Sequence, residues 1–317
     1  MKKFIIYLSI IMTSHILICE EYHVSPEGND SNTGTIQEPF KTISRAAEEA
    51  QPGEIIIVHE GIYREHVNPP RGGSSDTKRI VYQAAIGEKV IIKGSNIIKN
   101  WELLTGNVWK TSIPNSLFGD YNPYKIKVGG DWYSDMGRVH HTGEVYLNGT
   151  SLFEVPLLQQ VLDPKPLGLT DLKNESLYTW FCEVDDINTY IYANFQGADP
   201  NKELVEINVR KACFYPENTG INYITVRGFK MSQAATQWAP ATAEQIGLIG
   251  TNWSKGWIIE NNVISDSKCT GITLGKDRLS GQNVWSKDLT IDGATHYNNV
   301  IDRALKEPFN WSKKNIG

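Results

Sequence analysis

The stretch KGWIIENNVISDSKCTGITLGKD, residues 255–277, decides the fold. A few polar residues lead into a short apolar strand. Asn261-Asn262 then turns the chain, a second short strand follows, and a Gly leads into the next. Asn tolerates the left-handed backbone that a sharp corner needs. The same grammar occurs upstream in NYITVRGFKMSQAA, residues 222–235, with Gly228 at the corner. Coils that repeat a strand-corner-strand unit bury their inward side chains only by stacking on the next coil. The expected fold is therefore all-β, a right-handed parallel β-helix or solenoid.

Working outward toward the N-terminus, EIIIVHEGIYRE and RIVYQAAIGEKVIIKGS contain paired short strands around Gly61 and Gly87. They are read as the first coils. Before them, PFKTISRAAEEA places Phe40, Ile43, Ala46, Ala47 and Ala50 at helical spacing. Thr42 or Ser44 can cap this helix, and Pro52-Gly53 stops it. A helix over 39–50 would close the open end of the stack.

Residues 97–215 break the coil grammar. GEVYLNGTSLFEV and YTWFCEVDDINTYIYANF alternate like antiparallel hairpins, with Asn148-Gly149 at one tip. This segment is expected to be an inserted β-sandwich-like domain. The organisation is then 1–20 leader, 21–96 cap and first coils, 97–215 insertion, and 216–317 further coils. Asn310-Trp311-Ser312-Lys313 repeats Asn252-Trp253-Ser254-Lys255, the phrase that opens a coil. The chain stops there, so the sequence reads as a fragment whose remaining coils are missing.

The first residues, MKKFIIYLSIIMTSHILICEE, carry two lysines and then an apolar run shorter than a membrane span. Export to the periplasm or exterior is expected. Cys19 offers a lipid-attachment alternative, against which Ile18 stands, because a small residue is usual there. The other cysteines, Cys182, Cys213 and Cys269, are too few and too scattered for a disulfide framework. No metal-ligand spacing and no nucleotide or phosphate fingerprint occurs, so no metal and no cofactor is expected. A formal charge of -5 without a basic cluster excludes a nucleic-acid footprint. Nine Trp, 14 Tyr and nine Phe leave room for flat stacking ligands such as sugar rings, beside ordinary core packing.

The densest polar and aromatic stretch is AATQWAPATAEQIGLIGTNWSKGW, residues 234–257, which leaves a coil and returns. Trp238 could stack on a sugar ring, and Glu244 or Gln245 could bind its hydroxyls. The alternative is that Trp238 and Trp253 bury the loop on the coil. Asp277 and Glu307 sit at loop exits and could line a groove. His141 and Glu144, in HHTGE of the insertion, could reach a groove of this subunit or a neighbour. For each, the competing reading is a surface turn.

QWAPATAEQIG, NWSKGWIIENN, SKCTGITLGKD and RVHHTGEVYLNG resemble the β-helix family of β-xylosidases, glycoside hydrolase family 120. The resemblance runs from about residue 22 to the end. It implies a β-helix with an inserted sandwich, acting on xylo-oligosaccharides with retention, as an oligomer. It also implies a nucleophilic Asp and an acid/base Glu in phrases resembling GIWLDW and LFxEVxHGP. Neither phrase occurs in this sequence, so no catalytic residue is assigned. Two other functions stay open: a polysaccharide lyase on the same fold, and a sugar-binding protein without catalysis.

Overall fold

The computed structural model of the chain describes residues 21–273 apart from 130–132, 136, 169–170, 239–245 and 253. Its short strands stack into three parallel columns. The first sheet holds Glu21–Val24, Ile55–Val58, Ile80–Ala84, Ile224–Arg227 and Ile258–Glu260, in that order. The second holds Gly61–Tyr63, Val90–Lys93, Lys230–Ser232 and Val263–Ser265. The third runs by bridges from Val67 through Phe214 to Ile249, and the pair Ile249–Gly250 and Ile272–Thr273 continues it. This is a parallel β-helix. The right-handed crossover follows from the twist of its strands.

In-register pairing puts like on like. Ile56, Tyr82, Val226 and Ile259 form one inward column, and Tyr63, Ile92, Met231 and Ile264 another. All are buried except Ile259 and Ile264, which are partly covered. Each fully buried side chain of this size contributes about 1.5–3 kcal/mol. The coil is thus held by contacts that no single repeat can make.

The corners carry left-handed residues at the expected Gly228 and Asn261, and at four positions that the sequence does not single out. Tyr223, Gly228 and Gln233 have positive φ in one coil, and Gly256, Asn261 and Asp266 in the next. Asn262 then does a second task. Its Oδ1 accepts from Phe229 N at 3.0 Å and its Nδ2 donates to Val226 O at 2.9 Å, tying its corner to the one before. Asn222 Oδ1 likewise accepts from Lys255 N of the next coil, at 2.9 Å. Trp257 is structural: its Nε1 donates to Ile221 O and its ring meets Phe214 edge-on.

The capping helix spans Ile43–Glu49, shorter than the apolar spacing predicts, because Phe40 is drawn into a bridge with Val24. Thr42 caps it by accepting from Arg45 N. Glu65 of the coil accepts from Ile43 N and Ser44 N and so covers the two donors of the first turn. Ile43, Ala46 and Ala47 are buried against the stack.

After Lys93 the chain leaves the β-helix. It returns where Val209 N and Arg210 N both donate to Gly94 O. A Cβ at Gly94 would lie 2.6 Å from Ala234 Cα, so the exit needs glycine for close approach. Between these points lie two mostly antiparallel sheets. The smaller contains Ser95–Ile97, Val205–Asn208, Val145–Leu147 and Thr150–Ser151. The larger contains Phe153–Glu154, Thr179–Val184, Asn188–Asn194, Val108–Pro114 and Glu102–Thr105. Asn148 and Gly149, both at positive φ, turn the expected hairpin. Trp101, Val145, Leu152, Trp180, Ile191 and Ile207 are among the side chains that fill the space between the sheets. The short helix Leu158–Leu162 packs outside the larger sheet and is not legible in the alternating pattern.

Among the described residues two polar junctions join the insertion to the β-helix. At its root, Glu206 is fully buried and meets Arg64 Nη1 and Lys93 Nζ, each at 2.7 Å. The second junction lies further out and is where the candidate site forms.

Candidate functional site

One strand passage carries the chain from one sheet of the insertion to the other. Thr150–Ser151 pairs with Val145–Leu147, and two residues later Phe153–Glu154 pairs with Thr179 and Trp180. This crossing brings Glu154 beside Glu144, which precedes the strand Val145–Leu147. The loop before it holds Arg138, His140 and His141. Opposite stands Lys268, from the β-helix loop between Val263–Ser265 and Ile272–Thr273. Its backbone N donates to Ala234 O, and the next residue, Cys269, donates from N to Thr236 Oγ1. Tyr121 Oη also donates across the seam, to Ala235 O at 2.5 Å.

Lys268 Nζ donates to Glu144 Oε2 at 2.8 Å and lies 3.8 Å from Glu154 Oε2. Glu144 Oε1 accepts from Trp180 Nε1 at 3.0 Å. Glu154 accepts from His141 N, and His141 Nδ1 lies 2.6 Å from its Oε1. Arg138 donates to the Glu154 carbonyl, while its Nε is buried with no partner. The backbone of Glu144 is fixed too: its N donates to Asn208 Oδ1, and its carbonyl accepts from Tyr124 Oη.

Two carboxylates thus face one lysine, and burial decides how protons divide. Burial raises the Glu144 carboxyl above its ordinary value. Lys268 offsets part of that rise, and Glu154 adds to it. Burial alone would lower the Lys268 ammonium, but Glu144 and Glu154 outweigh it and hold Lys268 charged. Burial, then the Arg138 cation, lowers His140, which favours its neutral form.

These groups surround a hollow of about 230 Å³ lined by Arg138, His140, Glu144, Glu154 and Lys268, with Ser151–Phe153 along one side. A second hollow, about 380 Å³, shares Arg138 and His140 and adds Lys127, Tyr133 and Asp135. Trp238 lies half-buried near this second hollow, its ring tilted against Tyr133 at 6.1 Å. Gln237 Nε2 reaches across to Lys127 O. Chemically, the seam offers acceptors and donors side by side, with a net charge near zero and aromatic edges. That suits a neutral polyhydroxylated ring better than an anion or a metal. Among the described residues no group of three or more His, Cys, Asp or Glu could hold a metal ion.

Of the residues singled out from sequence, His141, Glu144 and Trp238 are gathered at this seam. His141 and Glu144 do not sit on a surface turn; both are largely enclosed, with side chains 19% and 14% exposed. Glu244, Gln245, Asp277 and Glu307 lie outside the described residues, as do residues 1–20 with the leader and Cys19. Sequence reading misses Glu154, Lys268, Arg138 and Trp180, and takes in His140 only as part of the HHTGE run. Glu154 looks like one polar position of an alternating strand, and Lys268 like a solvated turn residue. Only the packing of insertion on coil brings Lys268 to Glu144, 124 positions away. Cys182 and Cys213 are buried and Cys269 is partly buried, all unpaired.

Comparison with known proteins agrees with this architecture. Residues 98–207 match the family described as glycoside hydrolase 120, insertion domain. Residues 26–68 match a family described as a protein of unknown function, DUF1565. The solved structure described as XylC in complex with xylose is 49% identical, with a TM-score of 0.81 over 91% of this chain and 47% of that one. The uncharacterized protein YwoF of Bacillus subtilis (strain 168) is 36% identical over 75 residues, 24% of this chain and 16% of its own length. The chain therefore spans about half the length of XylC and a smaller share of YwoF.

Proposed function

We propose that this chain, whose residues 98–207 match the glycoside hydrolase 120 insertion domain and whose coils form a parallel β-helix, serves a β-xylosidase-like glycosidase. Its substrate is a xylo-oligosaccharide, cleaved with retention. The observation that carries this reading is the 49% identity, over 91% of this chain, to a structure described as a complex with xylose. The seam supports it: a hollow of about 230 Å³ holds one sugar ring, with Glu144 and Glu154 to accept from hydroxyls and Lys268 to donate. In this reading Glu144, Lys268, Arg138 and His140 form part of the substrate-facing wall. The nucleophile and the acid/base of a retaining reaction are not assigned to any residue of this chain. Export, on the strength of the first 20 residues, and oligomerisation belong to the same proposal.

The test is to incubate the full-length gene product with xylobiose and with an aryl β-xyloside, following the anomer of the xylose released. Release of the β-anomer supports the proposal. Binding of xylobiose without turnover would make this a sugar-binding protein. An unsaturated uronate absorbing in the ultraviolet, from a uronate polymer, would make it a lyase.

A further inference from the structure

The same strand passage that delivers Glu154 to the seam borders another hollow at its other end. This one, about 220 Å³, is lined by Leu147, Asn148, Thr150, Ser151, Leu152, Glu175 and Tyr178. It shares Ser151 and Leu152 with the seam hollow, so the two adjoin. Leu152 is buried in the sandwich core, and Leu147 and Tyr178 pack against that core. Together they make an apolar floor. Around it Thr150, Ser151 and Glu175 are exposed.

Hydrogen bonds brace the walls of the hollow. The Asn148 side chain donates to Glu203 Oε2 and accepts from Leu204 N, which locks the hairpin tip to the neighbouring strand. Phe153 N donates to Tyr178 O and fixes the tyrosine backbone beside the crossing strand. A site already held in its binding shape loses little freedom when it is filled.

We propose that this hairpin hollow is an accessory sugar subsite, which takes a further residue of an oligosaccharide whose neighbouring unit lies in the seam. The chemistry is that of a pyranose. Its C–H face lies on Leu147, Leu152 and the Tyr178 ring, and its rim hydroxyls meet Thr150, Ser151 and the Glu175 carboxylate. An acyl chain would leave that polar rim unpaired, and a buried unpaired polar group is costly. The inference rests on the carbohydrate reading above and adds to it: longer chains are preferred, and the insertion supplies the preference.

Titration calorimetry on the full-length protein, with the non-hydrolysable thio-linked analogues of xylobiose and xylotetraose, tests it. The wild type is expected to bind the xylotetraose analogue about tenfold more tightly than the xylobiose analogue, a gain of about 1.4 kcal/mol. Thr150→Trp fills the hollow from an exposed strand position, and Glu175→Ala removes the rim carboxylate. Thr150→Trp is expected to abolish the gain and Glu175→Ala to reduce it. If wild type binds both sugars equally, or both variants keep the full gain, the accessory subsite is wrong while the xylosidase-like reading stands. If neither sugar binds, that reading falls and the subsite with it.

Discussion

The insertion meets the β-helix at two ionic clusters of opposite balance. At the root one carboxylate, Glu206, lies between two cations, Arg64 and Lys93, and Ser95 Oγ adds a longer contact at 3.3 Å. At the seam two carboxylates, Glu144 and Glu154, share one lysine. Burial pushes both Glu206 and Glu144 upward. At Glu206 the paired cations win and the carboxyl ends below its ordinary value; at Glu144 burial wins and it ends above. The root is sealed, with Glu206 fully buried, whereas the seam opens on a hollow. A cluster with cations in excess holds its carboxylate ionised and acts as a weld. One in which two carboxylates share a lysine lets burial raise the Glu144 carboxyl and leaves lone pairs for a ligand.

The largest expected effect comes from breaking the weld. Glu206→Ala leaves Arg64 and Lys93 facing each other and should cost about 3–5 kcal/mol in urea unfolding. A loss below about 1 kcal/mol would remove the root from the comparison. Lys268→Met at the seam strands two carboxylates and should cost about 2–3 kcal/mol at pH 7. The loss should shrink as pH falls and one carboxyl takes a proton.

The pH dependence should separate the clusters by sign. The folded-state value of Glu206 is depressed, so its contribution is present above the unfolded value of 4.5 and lost as pH falls through the folded one. That of Glu144 is raised, so its contribution is present below 4.5 and lost as pH rises through the folded value. Glu144→Gln should therefore flatten the fall in stability above pH 4.5. Glu206→Gln should instead flatten the loss below it. A tenfold difference in proton affinity between the folded and unfolded chain is worth about 1.4 kcal/mol. Equal slopes in the two variants would erase the distinction. The smallest effect is expected away from both clusters. The exposed pair of Arg227 and Glu260, at 3.5 Å, should contribute about 0–1 kcal/mol, so Glu260→Ala, which spares the bonds from Arg227 to Gln83, calibrates the scale.

Legibility in the sequence follows the range of the interactions. The corner residues Gly228 and Asn261, the Thr42 cap and the Asn148-Gly149 turn are readable because backbone conformation there is a local property. The inward columns are readable in kind, as alternating apolar strands, but not in register. Nothing local states that Ile92 pairs with Met231 across the whole insertion. His141 and Glu144 stand out only as clustered polar residues. Their partners Glu154 and Lys268 look ordinary in sequence because each is one polar position in an otherwise regular element.

Taken by itself, the sequence determined the architecture: a stack of coils, a capping helix and an interrupting sandwich. Backbone sterics and alternating hydrophobicity dictate these within a few residues of each position. Only the tertiary structure decided which charges share a site. The exit at Gly94 and the crossing strand Thr150–Glu154 set where the insertion lies, and that placement brings one lysine of a distant coil to two glutamates. Electrostatics and burial act through space over a few ångströms, and chain separation carries no record of them.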